Sequence, residues 1–181
     1  MATIDLIVLG FLKKESLSAY EIQKRVEYRN ISKWVKISTP SIYKKVIQLE
    51  EKGLIKSHTV KEGKMPEKAV YSLTEQGHRE FEKLMQEISA KAVNIYLDFN
   101  AVIVNLDSLH AEDQRTCLSA IETNVRQFKA CLEENVHAKE NLPEIPETGK
   151  AVLHQQFILA EAIEKWIASL KETFERRSRE K

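Results

Sequence analysis

Between Ser38 and Ile55 the chain reads STPSIYKKVIQLEEKGLI, and few segments leave a polypeptide less conformational choice. Proline fixes φ and has no N–H to lose in a first helical turn, so the spacing predicts Thr39 as N-cap and Pro40 as the first helical residue. Gly53 supplies the stop, and Leu54 and Ile55 open an apolar strand. Ile42, Val46 and Leu49 recur at helical spacing and form a buried stripe, whereas Ser41, Lys44, Lys45 and Gln48 fall on the opposite side or its flanks. That outer face is cationic and rich in hydrogen-bonding groups. Serine and glutamine can reach base edges, lysine can pair with guanine or phosphate, and Tyr43 can donate to a phosphate oxygen. A merely solvated helix face carries the same side chains, so the neighbouring elements have to decide.

Upstream, Ile4, Leu6, Ile7, Val8, Leu9, Phe11 and Leu12 are too long an apolar series for a typical strand and predict a buried helix ending near Lys13 and Lys14. Ser18 followed by Glu21 is a capping box, and it opens a second helix through Ile22, Arg25 and Val26 toward Arg29. Residues 30–37 form a connector containing Trp34. Downstream, residues 55–60 and 69–73 read as two strands, with Gly63 and Pro66 as turn signals between them. This hairpin has a basic tip, where Lys61, Lys64 and Lys68 are placed to meet phosphates flanking a groove, although exposed hairpin tips also carry lysine for solubility. Three helices followed by a hairpin is the winged variant of the helix-turn-helix plan, and in that order the basic helix is the one offered to a DNA groove. The candidate DNA contacts are Thr39, Ser41, Tyr43, Lys44, Lys45, Gln48, Lys61, Lys64 and Lys68.

A net charge of +1 over 181 residues argues against nucleic acid taken alone, but the distribution is uneven. Residues 1–73 hold 14 Lys/Arg against 8 Asp/Glu, and residues 74–181 hold 14 against 19. A basic front half joined to an acidic back half suits a DNA reader carrying a separate assembly or sensing module. No run approaches the roughly 18 uninterrupted apolar residues of a membrane span, and the start, MATIDLIVLGFLKKES, lacks a basic n-region and a small-residue cleavage site. The expectation is a cytoplasmic protein with no membrane partner. Cys117 and Cys131, 14 residues apart, would be separated by about 21 Å of rise on one helix, too far for a disulfide, and read as core thiols.

Enzyme chemistry finds little support. His58, His78, His110, His137 and His154 never fall at i, i+3 or i+4 from one another, the five glycines are scattered singly, and no nucleophile–base motif is visible. No catalytic residue, metal ligand or cofactor is expected.

Thr74 predicts the start of a long helix in which Phe81, Leu84, Met85, Ile88, Ala92, Tyr96, Phe99, Val102, Ile103 and Leu106 keep a three-four rhythm, a rod of about 45 Å. A further helix begins near His110, with Leu118, Ile121, Val125, Phe128 and Leu132 at heptad spacing, and is broken by Pro143 and Pro146. A last helix from about Lys150 carries Ile163, Ile167, Leu170 and Phe174 on one stripe beside Trp166. Its first stretch, AVLHQQFILA, is apolar on more than one face and is expected to be covered by two neighbours. Long helices of this kind hold two copies of a DNA reader about one turn of duplex apart, which favours a homodimer. The fold class is thus mainly α: a winged helix-turn-helix domain with a β-hairpin wing over residues 1–76, then a C-terminal helical dimerisation and effector domain over 77–181.

With these elements in order, LIVLGFL, SAYEIQKRV, SIYKKVIQLEEKGLI and AVYSLTEQG make residues 4–77 resemble the PadR family of winged-helix transcriptional regulators. The remainder resembles, by length and helical character, the subfamily with an extended C-terminal helical domain. Two positions depart from the family pattern: Ala19 stands where glycine is common, and Lys44 where proline is frequent. The resemblance implies a homodimeric repressor that binds a near-palindromic site in double-stranded DNA and releases it when a small aromatic or hydrophobic effector, such as a phenolic acid or drug, binds. An effector pocket would draw on Tyr96, Phe99, His154 and Trp166, for each of which plain core packing is the simpler reading. The reading that competes with DNA binding is a winged-helix protein–protein adaptor without specific DNA affinity.

Overall fold

The structure, a computed structural model, describes residues 2–35, 37–38, 40–61, 67–143 and 145–179. It divides into two compact units, residues 1–93 and 94–181.

The first unit opens with α1 (Ala2–Leu12) and α2 (Ala19–Tyr28). The capping box forms as the sequence predicts: the Glu21 N–H donates to Ser18 Oγ at 3.3 Å, and the Ser18 N–H donates to the Glu21 carboxylate at 2.7 Å. Asn30 takes the left-handed conformation at φ 53°, which asparagine tolerates better than most residues, and turns the chain into a short 3-10 segment, Ile31–Lys33. α3 (Ser41–Glu51) follows, with Pro40 already helical at φ −61° and ψ −22°. The helix is anchored upstream by Ser38, whose carbonyl accepts from the Ser41 N–H at 3.0 Å. Thr39, the expected N-cap, lies outside the described residues.

Ile42, Val46 and Leu49 of α3 have no exposed surface. They meet Val8 and Leu9 of α1 and Ile22 and Val26 of α2 in one core, and each such side chain contributes about 1.5–3 kcal/mol by leaving water. Gly53 at φ 69° ends α3 as expected. Strands β1 (Ile55–Val60) and β2 (Lys68–Leu73) pair antiparallel from Ile55↔Leu73 to Val60↔Lys68. Leu17 adds a bridge to Tyr71, its N–H donating to the Tyr71 carbonyl at 3.1 Å. From Lys56 to Thr59, β1 is exposed on both faces, so the hairpin runs out beyond the core.

α4 (Glu75–Ser89) is stapled to the α3–β1 junction. Thr74 Oγ1 donates to the Gly53 carbonyl at 2.7 Å while accepting from the Gly77 N–H at 3.1 Å. A Cβ on Gly77 would fall 2.0 Å from the Leu54 carbonyl oxygen, so only glycine permits this approach. The glycine of AVYSLTEQG is therefore a packing requirement. The expected 45 Å rod is not formed: α4 ends at Ser89, and residues 91–97 are not helical. Helices in proteins are held chiefly by burial of an apolar face. Here Val93 is 88% and Tyr96 85% exposed, so the three-four rhythm continues past Ser89 without a surface to bury against.

The second unit holds α5 (Asn100–Ile103), a 3-10 segment Leu106–Ser108, α6 (Ala111–Lys139) and α7 (Glu147–Arg179). At 1.5 Å per residue the last two are about 43 and 50 Å long. Leu106, Leu118, Ile121, Val125 and Ile167 form the buried cluster, flanked by Ile163, Leu170 and Phe174. Lys171 pairs with Glu122, and Lys129 pairs with Glu164 at 2.7 Å. Advancing along α6 thus means receding along α7, and the two helices are antiparallel. The AVLHQQFILA stretch is not covered on two sides within the chain, since only Ala160 is buried and Ile158 is half exposed. Nor are both cysteines core thiols: Cys117 is partly buried, while Cys131 is exposed.

Candidate nucleic-acid interface

The buried stripe of α3 fixes which of its residues face outward. Tyr43, Lys44, Ile47 and Glu51 occupy the exposed arc, and Ser41 and Gln48 sit half-buried on one flank. Ile47, which the sequence pattern left unassigned beside Val46, is 54% exposed, and Tyr43 is 43% exposed.

Lys45 does not belong to this surface, contrary to expectation. It lies three residues after Ile42 and four before Leu49, which sets its aliphatic stem at the edge of the buried stripe. The residue is 8% exposed, and its Nζ sits 2.8 Å from Oδ1 of Asp5 on α1. The contact is one of charge more than of aligned hydrogen bonding, and that oxygen has no hydrogen-bond partner. Lys45 thus ties α3 to α1 instead of facing solvent.

On the hairpin, Lys61 is exposed at the end of β1. Lys68, at the start of β2, holds its Nζ 3.5 Å from Glu21. The Glu21 carboxyl is kept below the usual carboxylate range first by the Ser18 N–H and hydroxyl, and further by Lys68. One carboxylate therefore serves the α2 cap and the base of the wing together. Thr39, Lys64, Gly63 and Pro66 lie outside the described residues. At the other end of β1, the Ser57 N–H donates to Glu50 of α3 at 2.9 Å, which sets the strand against the helix it follows. α2 contributes surface that the sequence pattern did not single out: Tyr20 is 58% exposed, and Lys24 lies over its ring at 5.5 Å. The signal was the i, i+4 spacing of an aromatic and a cation away from the Ile22–Val26 stripe.

The second unit contains a cleft of about 210 Å³ lined by Leu97, Phe99, Ile121, Asn124, Val125, Phe128, Ala160 and Ile163. Of the four effector candidates, Phe99 lines it, and Trp166 stacks on Phe99 with ring centroids 6.0 Å apart and planes at 22°. Tyr96 and His154 are exposed and do not line it, because the chain around Tyr96 is not the expected helix and His154 sits on an outward face of α7. Asn124 is the polar group on the wall. Among the described residues no cluster of His, Cys, Asp or Glu is arranged to hold a metal, and no helix is long and apolar enough to cross a membrane.

Three helices, a projecting two-stranded hairpin and an outward helix face carrying Tyr43 and Lys44 define the winged helix-turn-helix class, here followed by a helical C-terminal region. Residues 8–83 match the sequence model described as the transcriptional regulator PadR-like family, so this part of the chain is similar to those regulators. No curated protein matches the chain in sequence. Among solved structures, Bacillus subtilis PadR in complex with operator DNA is similar with a TM-score of 0.80 at 18% identity, over 95% of this chain and 99% of that one. The same Bacillus subtilis protein in complex with p-coumaric acid gives 0.80 at 18% identity, over 95% and 98%. The PadR-like regulator BC1756 from Bacillus cereus gives 0.71 at 21% identity, over 96% and 99%. At these identities the likeness establishes the fold, including the helical C-terminal region beyond the family match.

Proposed function

We propose that the chain acts in the cytoplasm as a homodimeric repressor, gripping a near-palindromic operator with α3 and the wing of each copy and releasing it when a small aromatic molecule binds the helical unit. In this reading residues 1–76 read DNA, while residues 77–181 assemble the dimer and receive the effector. The observation that carries it is the outward arc of α3: with Lys45 paired to Asp5, the arc still presents Tyr43 and Lys44, flanked by Ser41 and Gln48, beside a hairpin with Lys61 at its outer end. The shared fold with Bacillus subtilis PadR, solved with operator DNA and with p-coumaric acid, supports both halves of the proposal. Phe128, Ile158 and Trp166, exposed on α6 and α7, support burial against a second copy. The 210 Å³ cleft is smaller than the roughly 300–1,000 Å³ of pockets for drug-sized ligands and suits a single aromatic ring.

Gel shifts on duplexes selected from a random pool test the reading. Affinity is expected to fall steeply with salt as phosphate-bound counterions are released. Lys44→Ala and Gln48→Ala are each expected to weaken specific binding by about 1–3 kcal/mol, the worth of a side-chain pair with a base. Light scattering should find both variants still dimeric. Unchanged binding by both would mean that another face enters the groove, and a salt-independent interaction would favour the adaptor reading. Adding p-coumaric acid tests effector release directly.

A further inference from the structure

We infer that Ile47 is a sequence-reading residue that recognises the 5-methyl group of a thymine in the major groove; the inference rests on the DNA-binding reading above. A lone exposed aliphatic side chain is ordinary on a protein surface, and what singles out Ile47 is its place on the arc that the proposal above assigns to DNA. Val46 and Leu49 are fully buried on the other side, while Ile47 keeps 54% of its surface in water. It stands one turn beyond Tyr43 and three residues after Lys44, both exposed, so the three share one stripe with an apolar group at its centre.

The chemistry that complements this stripe is specific. The major-groove edge of a base pair offers hydrogen-bond donors and acceptors, which Lys44 and Gln48 can meet, and one apolar group, the thymine methyl. A branched aliphatic side chain can make no hydrogen bond to guanine, cytosine or adenine edges, and it strands their polar atoms if it covers them. Ile47 therefore favours thymine by contact and disfavours the other bases by desolvation. The phosphate backbone offers it nothing, so its contribution is to sequence selectivity and not to general affinity.

The test uses the full-length chain and duplexes carrying the operator that it selects from a random pool. Each thymine is replaced in turn by deoxyuridine, which removes the methyl alone, and affinity is measured for the native chain and for Ile47→Ala at one salt concentration. For the native chain, one replacement per half-site is expected to weaken binding about fourfold, the equivalent of one buried methyl. In Ile47→Ala that penalty should vanish, while penalties at other positions and the slope of affinity against salt stay unchanged, since the lost contact carries no charge. Ile47→Val, which retains the branched aliphatic character, should keep part of the methyl preference. A specific operator with no thymine whose penalty depends on Ile47 would overturn this inference and leave the repressor proposal standing. Failure to recover any preferred sequence would overturn both.

Discussion

A lysine can look like a ligand contact in a sequence and be a structural tie in the fold. Lys45 shows how the two are separated: it belongs to a run of basic and polar residues, but its Cα position sends the side chain back toward α1, where Asp5 receives it at 2.8 Å. Removing one member of a pair this sheltered strands the other. Asp5→Ala is expected to destabilise the first unit by about 3 kcal/mol, whereas Asp5→Leu combined with Lys45→Met should cost much less, because both charges leave together. Urea denaturation of the full chain measures both; equal losses would mean that the pair adds nothing beyond the space its side chains fill. Gly77 is the other position where one atom decides. Gly77→Ala sets a methyl against the Leu54 carbonyl and should cost about 1–3 kcal/mol through forced backbone movement, read as a lower midpoint in the same experiment.

Among the elements, those that bury a continuous face were legible from sequence, and those whose apolar rhythm stays in water were not. The Ile42–Val46–Leu49 stripe and the Ser18–Glu21 box both follow from local chemistry that the core then reinforces. The same three-four rhythm across Ala92 and Tyr96 predicts a helix that does not form, because periodicity records which residues could share a face but not whether anything covers it. On the candidate helix the outward placement of Tyr43 and Lys44 is legible in the sequence, while Lys45, expected outside, is buried against Asp5, and Ile47, left unassigned, is exposed; one residue turns a helix by about 100°, so the pattern alone does not fix the edges of a face. α6 and α7 owe their pairing to charge as well as packing. The Lys171 ammonium beside Glu122 holds that carboxyl below its ordinary 4.5. A carboxylate depressed in the folded state contributes stability above its unfolded pKa and loses it as pH falls through the folded value. The α6–α7 unit is therefore expected to lose stability as pH drops below about 4.5, and Glu122→Gln should flatten that acid slope. Thermal melts from pH 7 to pH 3, followed by helical circular dichroism, give the comparison.

At the scale of the whole chain, two units with separate cores carry separate tasks in the proposed repressor. Ending the chain after Leu106 removes α6 and α7 and strips Leu106 of the Leu118, Ile121 and Ile167 side chains that bury it. In the proposed homodimer such a chain is expected to be monomeric or to aggregate, and light scattering against the full-length chain tests this; a clean soluble dimer would place the interface in the first hundred or so residues. The charges that join α6 to α7 run among Glu122, Arg126, Lys129, Glu164 and Lys171, all from the same chain. Phe128 and Ile158, each half exposed, take no part in that lattice of charges. In the proposed homodimer, natural variation can accordingly retune how strongly the second copy is held, one oily residue at a time, while each copy keeps its own scaffold intact.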